Sequence, residues 1–169
     1  MKLLVVRHGT AEDKDEFART GKSDDLRPLT PAGKREMRDI ARGIREVVSA
    51  IDVLLTSPLV RAMQTAEIVG EEYDREQKKV EWLRPDAPYE EFARWARSAE
   101  EKQTIAVVGH EPHLSGLVSW LLAGADESFV ELKKGAACVL EIEAENAGPS
   151  SATLVWSMAP KHLRAIGRG

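Results

Sequence analysis

Two arginines and two histidines carry the chemistry that this chain offers. Arg7-His8-Gly9 closes one apolar run, Arg61 follows Ser57-Pro58 after a second, and Gly109-His110 ends a third. Arginine presents a planar fork of donors that matches phosphate and stays charged at any working pH. A histidine beside such a pair can attack phosphorus through a ring nitrogen, forming a phosphohistidine that water later opens. Cationic surroundings disfavour the charged imidazole and so keep the nucleophilic form. His110 is placed to donate hydrogen bonds to the equatorial oxygens or to move a proton, and Gly9 adds a binding position next to the nucleophile. Arg7, Arg61, His110 and nearby helix ends together supply positive charge, so this chemistry requires no metal or other cofactor.

These residues are far apart in sequence, so their value depends on what brings them together. Leu3 to Val6, Val53 to Leu55 and Ile105 to Val108 are short unbroken apolar runs, as in parallel strands covered on both faces. Each ends in the polar residues named above, where the chain turns towards a helix. In open α/β sheets ligands bind outside the carboxyl ends of the strands, where helix N-termini also present free N–H groups to an anion.

Helical spacing follows at Met37, Ile40, Ala41, Ile44, Val47 and Val48, with Thr30 as N-cap and Pro31 in the first turn. It returns at Leu59 to Tyr73 after Ser57-Pro58, read as a second cap and proline, and at Leu114 to Leu122 after Glu111-Pro112. A further helix carries Tyr89, Phe92, Ala93 and Ala96, preceded by a weaker strand around Lys79 to Leu83. Val139 to Glu143 and Thr153 to Met158 alternate and flank a loop with Gly148-Pro149-Ser150-Ser151, which predicts an antiparallel pair at the sheet edge. The expected fold is α/β: a three-layer sandwich with a mostly parallel central sheet and an antiparallel edge pair, one domain over residues 1–169.

Composition narrows the function classes. The 169 residues are 43% apolar and 31% charged, a globular balance. A net charge of -4 gives no general attraction for nucleic acid or acidic membranes. No apolar stretch approaches the roughly 20 residues that cross a bilayer, and the start breaks into charge too early for a signal peptide, so a cytoplasmic location is expected. The single cysteine, Cys138, lies in an apolar run and reads as a buried structural thiol.

Other phosphate chemistries fit less well. A cysteine-based phosphatase needs an arginine six positions after its cysteine, where Ala144 stands. Asp13-Lys14-Asp15 follows a polar loop rather than an apolar strand, against an aspartate nucleophile. His110 and His113 are three apart but have few partners for a metal, and paired arginines oppose a cation. No nucleotide-binding G-x-x-x-x-G-K-[ST] loop is present. His162 reads as a surface residue.

Three stretches also carry a resemblance. Leu4-Val5-Val6-Arg7-His8-Gly9-Thr10, Ser57-Pro58-Leu59-Val60-Arg61-Ala62-Met63-Gln64-Thr65 and Val107-Val108-Gly109-His110-Glu111-Pro112 are similar, in that order, to the histidine phosphatase superfamily. The short chain, Asp25 to Gly33 and Trp156 to Pro160 resemble its SixA-type phosphohistidine phosphatases. The resemblance implies a phosphoglycerate-mutase-like fold, His8 as nucleophile, and Arg7, Arg61 and His110 as the phosphate pocket. It also implies a protein substrate, the phosphohistidine of a phosphotransfer domain in bacterial signalling. The alternatives are a broad phosphatase of small phosphoesters and a module that binds phosphorylated partners without turnover. Larger members carry insertions that cover the site and supply an acid. Here Asp86, Glu90 and Glu91 are the candidates for that acid, and the short chain predicts an open site.

Overall fold

A computed structural model describes residues 1–169. The first apolar run forms strand β1 (Lys2–Arg7), the second β2 (Val53–Thr56) and the third β4 (Thr104–Gly109). All three are unbroken because both of their faces are buried. On β1, Leu3 and Val5 enter one core while Leu4 and Val6 enter the other, and Ile105 and Val107 alternate with Ala106 and Val108 in the same way. The weaker strand is shorter and earlier than expected: β3 covers Gln77–Lys79, and Glu81–Leu83 forms a 3-10 turn. Its tail is not extended because Trp82 and Leu83 fold inward against the core below the sheet.

The six strands order as β3-β2-β4-β1-β5-β6, with β5 at Ala137–Ile142 and β6 at Ala152–Met158. The β2–β3, β2–β4 and β1–β4 pairs are parallel, whereas β1–β5 and β5–β6 are antiparallel. The terminal pair is therefore antiparallel as expected, but only β6 forms the edge. β5 is buried between β1 and β6, with Cys138 fully enclosed.

Helices cover both faces. One side packs α2 (Pro31–Val47), α3 (Val60–Tyr73) and α6 (Pro160–Gly167), and the other packs α4 (Tyr89–Ala96) and α5 (His113–Ala123). Thr30 caps α2 as its spacing predicts, accepting from Gly33 N at 2.9 Å. Two helices are additions to the expected set. Asp13 N-caps the short α1 (Lys14–Ala18), so the polar Asp13-Lys14-Asp15 stretch is a helix start. Pro160 opens α6, whose backbone lies so close to α2 that a Cβ on Gly43 would stand 2.0 Å from Leu163 O.

Candidate functional site

The ends of β1, β2 and β4 meet through their backbones. His8 N donates to Gly109 O at 3.0 Å, and Ser57 N donates to Val108 O at 3.0 Å. Residues just past three strands are thereby held side by side. They open onto a cleft of about 600 Å³ lined by Arg7, His8, Arg61 and His110, with Lys14, Arg27 and Lys134 adding positive charge and Glu12, Asp13, Asp24 and Glu111 adding negative.

His8 is 6% exposed, and its Nδ1 lies 2.7 Å from Gly9 O. Because a carbonyl only accepts, Nδ1 carries the proton and Nε2 keeps the lone pair. Burial, reinforced by Arg61, Arg7 and Arg27, pushes the imidazole down to about 3, so the ring is neutral across the working range. The cationic setting acts in the expected direction, but burial is the larger cause. The His110 ring centroid lies 5.1 Å from that of His8, and burial pushes His110 down to about 2.

Arg61 reaches the cleft from the first turn of α3. Its Nη1 donates to Asp24 O at 3.0 Å, and its Nη2 pairs with Asp24 Oδ2 at 3.2 Å. Arg7 Nη1 donates to Leu132 O at 2.6 Å. Arg7 Nε, Arg61 Nε and His110 Nδ1 are buried and have no hydrogen-bond partner. Buried donors without partners are costly, and three within one cleft suit an oxyanion with several acceptor atoms.

The second stretch does more than supply Arg61. On α3 the spacing i, i+3, i+4 brings Arg61, Gln64 and Thr65 to one face. Gln64 Oε1 accepts from Leu29 N at 2.8 Å, and Thr65 Oγ1 accepts from Gly9 N at 3.1 Å while donating to Arg61 O at 2.8 Å. Thr65 thus holds the loop after His8, and Gln64 holds Leu29, which bridges to Ala11 of that same loop. The loop after His8 is pinned from the other side by the start of α2, where a Cβ on Gly33 would stand 2.1 Å from Thr10 O. Only glycine permits that approach.

Several expectations change in this setting. Gly9 has its N–H committed to Thr65 and its carbonyl to His8, so its backbone positions the nucleophile rather than facing the cleft. Ser57 is not the cap of α3, whose N-cap is Leu59; its Oγ instead lies 2.8 Å from His110 Nε2. Asp86, Glu90 and Glu91 do not line the cleft, because Glu90 and Glu91 sit in the first turn of α4 and only Pro85 of that segment reaches the rim. His113 is buried rather than paired with His110: its Nε2 lies 3.1 Å from Ala87 O, and its ring packs at a tilt against Tyr89, with centroids 5.3 Å apart. His162 is exposed on α6. No helix is long and apolar enough to cross a membrane.

A mixed α/β sheet whose strand ends gather two arginines and two neutral histidines defines a phosphoryl-handling class, and the chain belongs to the histidine phosphatase superfamily. Residues 3–84 match that superfamily's branch 1. A protein of Picosynechococcus sp. strain PCC 7002 is 31% identical over 137 residues, which cover 79% of this chain and 81% of that one. Phosphohistidine phosphatase SixA of Escherichia coli K12 is 29% identical over 168 residues, 97% of each chain. The solved structure of the protein histidine phosphatase SixA complexed with tungstate superposes with a TM-score of 0.81 at 26% identity, covering 96% of this chain and 99% of that one.

Proposed function

We propose that this phosphatase works through a phosphoenzyme intermediate on His8 Nε2 and that its substrate is the phosphohistidine of another protein. The observation that carries the first half is the His8 Nδ1 contact with Gly9 O, which leaves Nε2 as the basic nitrogen in a cleft with unpartnered arginine donors. Attack by Nε2 forms the N–P bond as the bond to the leaving group breaks. Arg7, Arg61 and His110 donate to the three equatorial oxygens, where charge spreads in the transition state. Water then attacks phosphorus, and the electron pair of the N–P bond returns to Nε2. The chemistry asks for no metal.

Substrate choice rests on the rim and on the relatives. Glu12, Asp13, Lys14, Pro85 and Lys134 around the cleft are exposed, so a side chain carried on another protein has access to His8. Similarity along nearly the full chain to phosphohistidine phosphatase SixA favours an imidazole as the leaving group. The decisive comparison is turnover of a phosphohistidine protein, phosphoserine peptides and sugar phosphates side by side, with and without chelator and vanadate. We expect preference for the phosphohistidine protein, inhibition by vanadate, indifference to chelator, and an acid-labile phosphoryl group trapped on His8. Preference for sugar phosphates would refute the substrate. Turnover that survives His8→Ala would refute the mechanism.

A further inference from the structure

We propose that two copies of this chain pair through α2 and α3, with the arginine ridge of α2 on each copy set against the acidic ridge of α3 on the other. The inference stands apart from the phosphatase reading, since neither ridge lines the cleft.

The outer face of α2 carries Arg38, Arg42 and Arg45, and that of α3 carries Glu67 and Glu71, continued by Asp74 at its C-cap; all six are exposed. Charge is left over on both sides. Arg38 forms no ion pair, Arg42 shares Asp39 with Arg168, and the Arg45 guanidinium lies over the Tyr73 ring, 4.9 Å from its centroid, without a carboxylate. Glu46 and Glu72 share a groove with Arg42 and Arg45 but ion-pair with neither. Glu67, Glu71 and Asp74 form no ion pair within the chain.

The two ridges have the same spacing. Arg38, Arg42 and Arg45 are four and then three residues apart, as are Glu67, Glu71 and Asp74. Both ridges therefore step by about 6 Å and then about 4.5 Å along their helices. Both helices run from the cleft edge, where the first turn of α3 holds Arg61 and the start of α2 faces Thr10. They are level at the far end, where Arg45 lies over Tyr73 and Tyr73 Oη donates to Val48 O at 2.8 Å. Arg45 is thus level with Asp74, Arg42 with Glu71 and Arg38 with Glu67.

A two-fold axis parallel to these helices exchanges α2 and α3 without changing height. It brings Arg38, Arg42 and Arg45 of each copy opposite Glu67, Glu71 and Asp74 of the other. The same register sets Arg35 against the neutral Gln64, so no like charges stand directly opposite along the ridges. Complementary charge of this kind steers encounter and selects one partner. A second copy is the occupant because the matching charges, at the matching spacing, are already on this chain. The axis leaves both clefts at the same end of the pair.

Sedimentation equilibrium of the full chain is the test. At about 0.1 mM chain in about 0.05 M salt, wild type should appear at about twice its 18.7 kDa, and about 0.5 M salt should dissociate it, because exposed pairs are screened. Arg38→Glu with Arg42→Glu makes both ridges acidic, and Glu67→Lys with Glu71→Lys makes both basic. Each double variant alone should be monomeric, its dimer dissociation constant raised at least about 30-fold. Equimolar mixing should restore a dimer with one copy of each, since every facing pair is again opposite in charge, and that recovery shows both variants to be folded. A wild type that is monomeric in low salt, a dimer that persists in either double variant, or a mixture that stays monomeric would overturn the proposal and leave the ridges to solvent or to other proteins.

Discussion

Replacing His8 or His110 with asparagine should flatten the acid side of the stability curve. Both rings are buried, and burial holds them at about 3 and about 2 against an ordinary value of 6.5. Below that ordinary value the unfolded chain binds protons that the folded chain refuses, so stability is lost as pH falls from about 6.5 towards the native values. At about pH 4.5 the unfolded ring lies about two pH units below its midpoint, at about 1.4 kcal/mol per unit, or close to 3 kcal/mol for each histidine. Two rings cost about 5 kcal/mol, a large share of the about 5–15 kcal/mol that holds an ordinary domain folded. His113, also lowered mainly by burial, acts in the same direction. Glu111 opposes it: its raised folded value gives stability that is present at low pH and lost as pH rises. Asp24 stabilises the fold above its ordinary carboxylate range, and that contribution is lost only at lower pH, as its depressed carboxyl is protonated.

Urea denaturation at about pH 7.5 and about pH 4.5 measures the difference, since the midpoint and slope give the unfolding free energy at each pH. The wild-type chain should lose about 5 kcal/mol or more between the two conditions, and each single variant should lose about 3 kcal/mol less than wild type does. The comparison is of slopes, so a variant that is weaker throughout remains informative. Variants that lose stability as steeply as wild type would show that these two histidines are not the groups that take up the protons.

Ser57→Ala removes the hydroxyl that faces His110 Nε2 and leaves that ring without a partner at either nitrogen. An unsatisfied buried group costs about 1–3 kcal/mol, so thermal unfolding should move down and kcat should fall by roughly tenfold. A variant with wild-type kcat would show that His110 is held by its packing alone. Asp24→Asn removes a negative charge from Arg61 while keeping the backbone contact to Asp24 O. Inorganic phosphate, measured as a competitive inhibitor, should bind roughly fivefold tighter, about 1 kcal/mol; weaker binding would mean that the carboxylate orients Arg61 more than it competes for it.

Much of the fold was legible because each element repeats its signal over many residues. The unbroken runs at Leu3 to Val6 and Ile105 to Val108 announce strands covered on both faces, and Thr30-Pro31 announces the start of α2. The elements that were missed or misplaced are short. The α1 helix has five residues and β3 has three, too few for a period to show. In α6 only Leu163 is buried, so no apolar stripe marks it.

For the site, the residue types alone named Arg7, His8, Arg61 and His110, because strand ends followed by such side chains are an unusual pattern. What those residues do to one another was decided by the tertiary structure. That Nε2 rather than Nδ1 of His8 is basic depends on the carbonyl of Gly9, and that Ser57 serves His110 rather than α3 depends on the pairing of β2 with β4. Asp86, Glu90 and Glu91 were eligible acids in one dimension yet do not line the cleft, since acidity is visible in a sequence and position in the fold is not. Sequence determined which chemical groups this protein can bring to a phosphoryl group. Only the packed chain decided which of them are dry, which are already paired and which stand free to react, because desolvation and partnership are properties of neighbours brought together by folding.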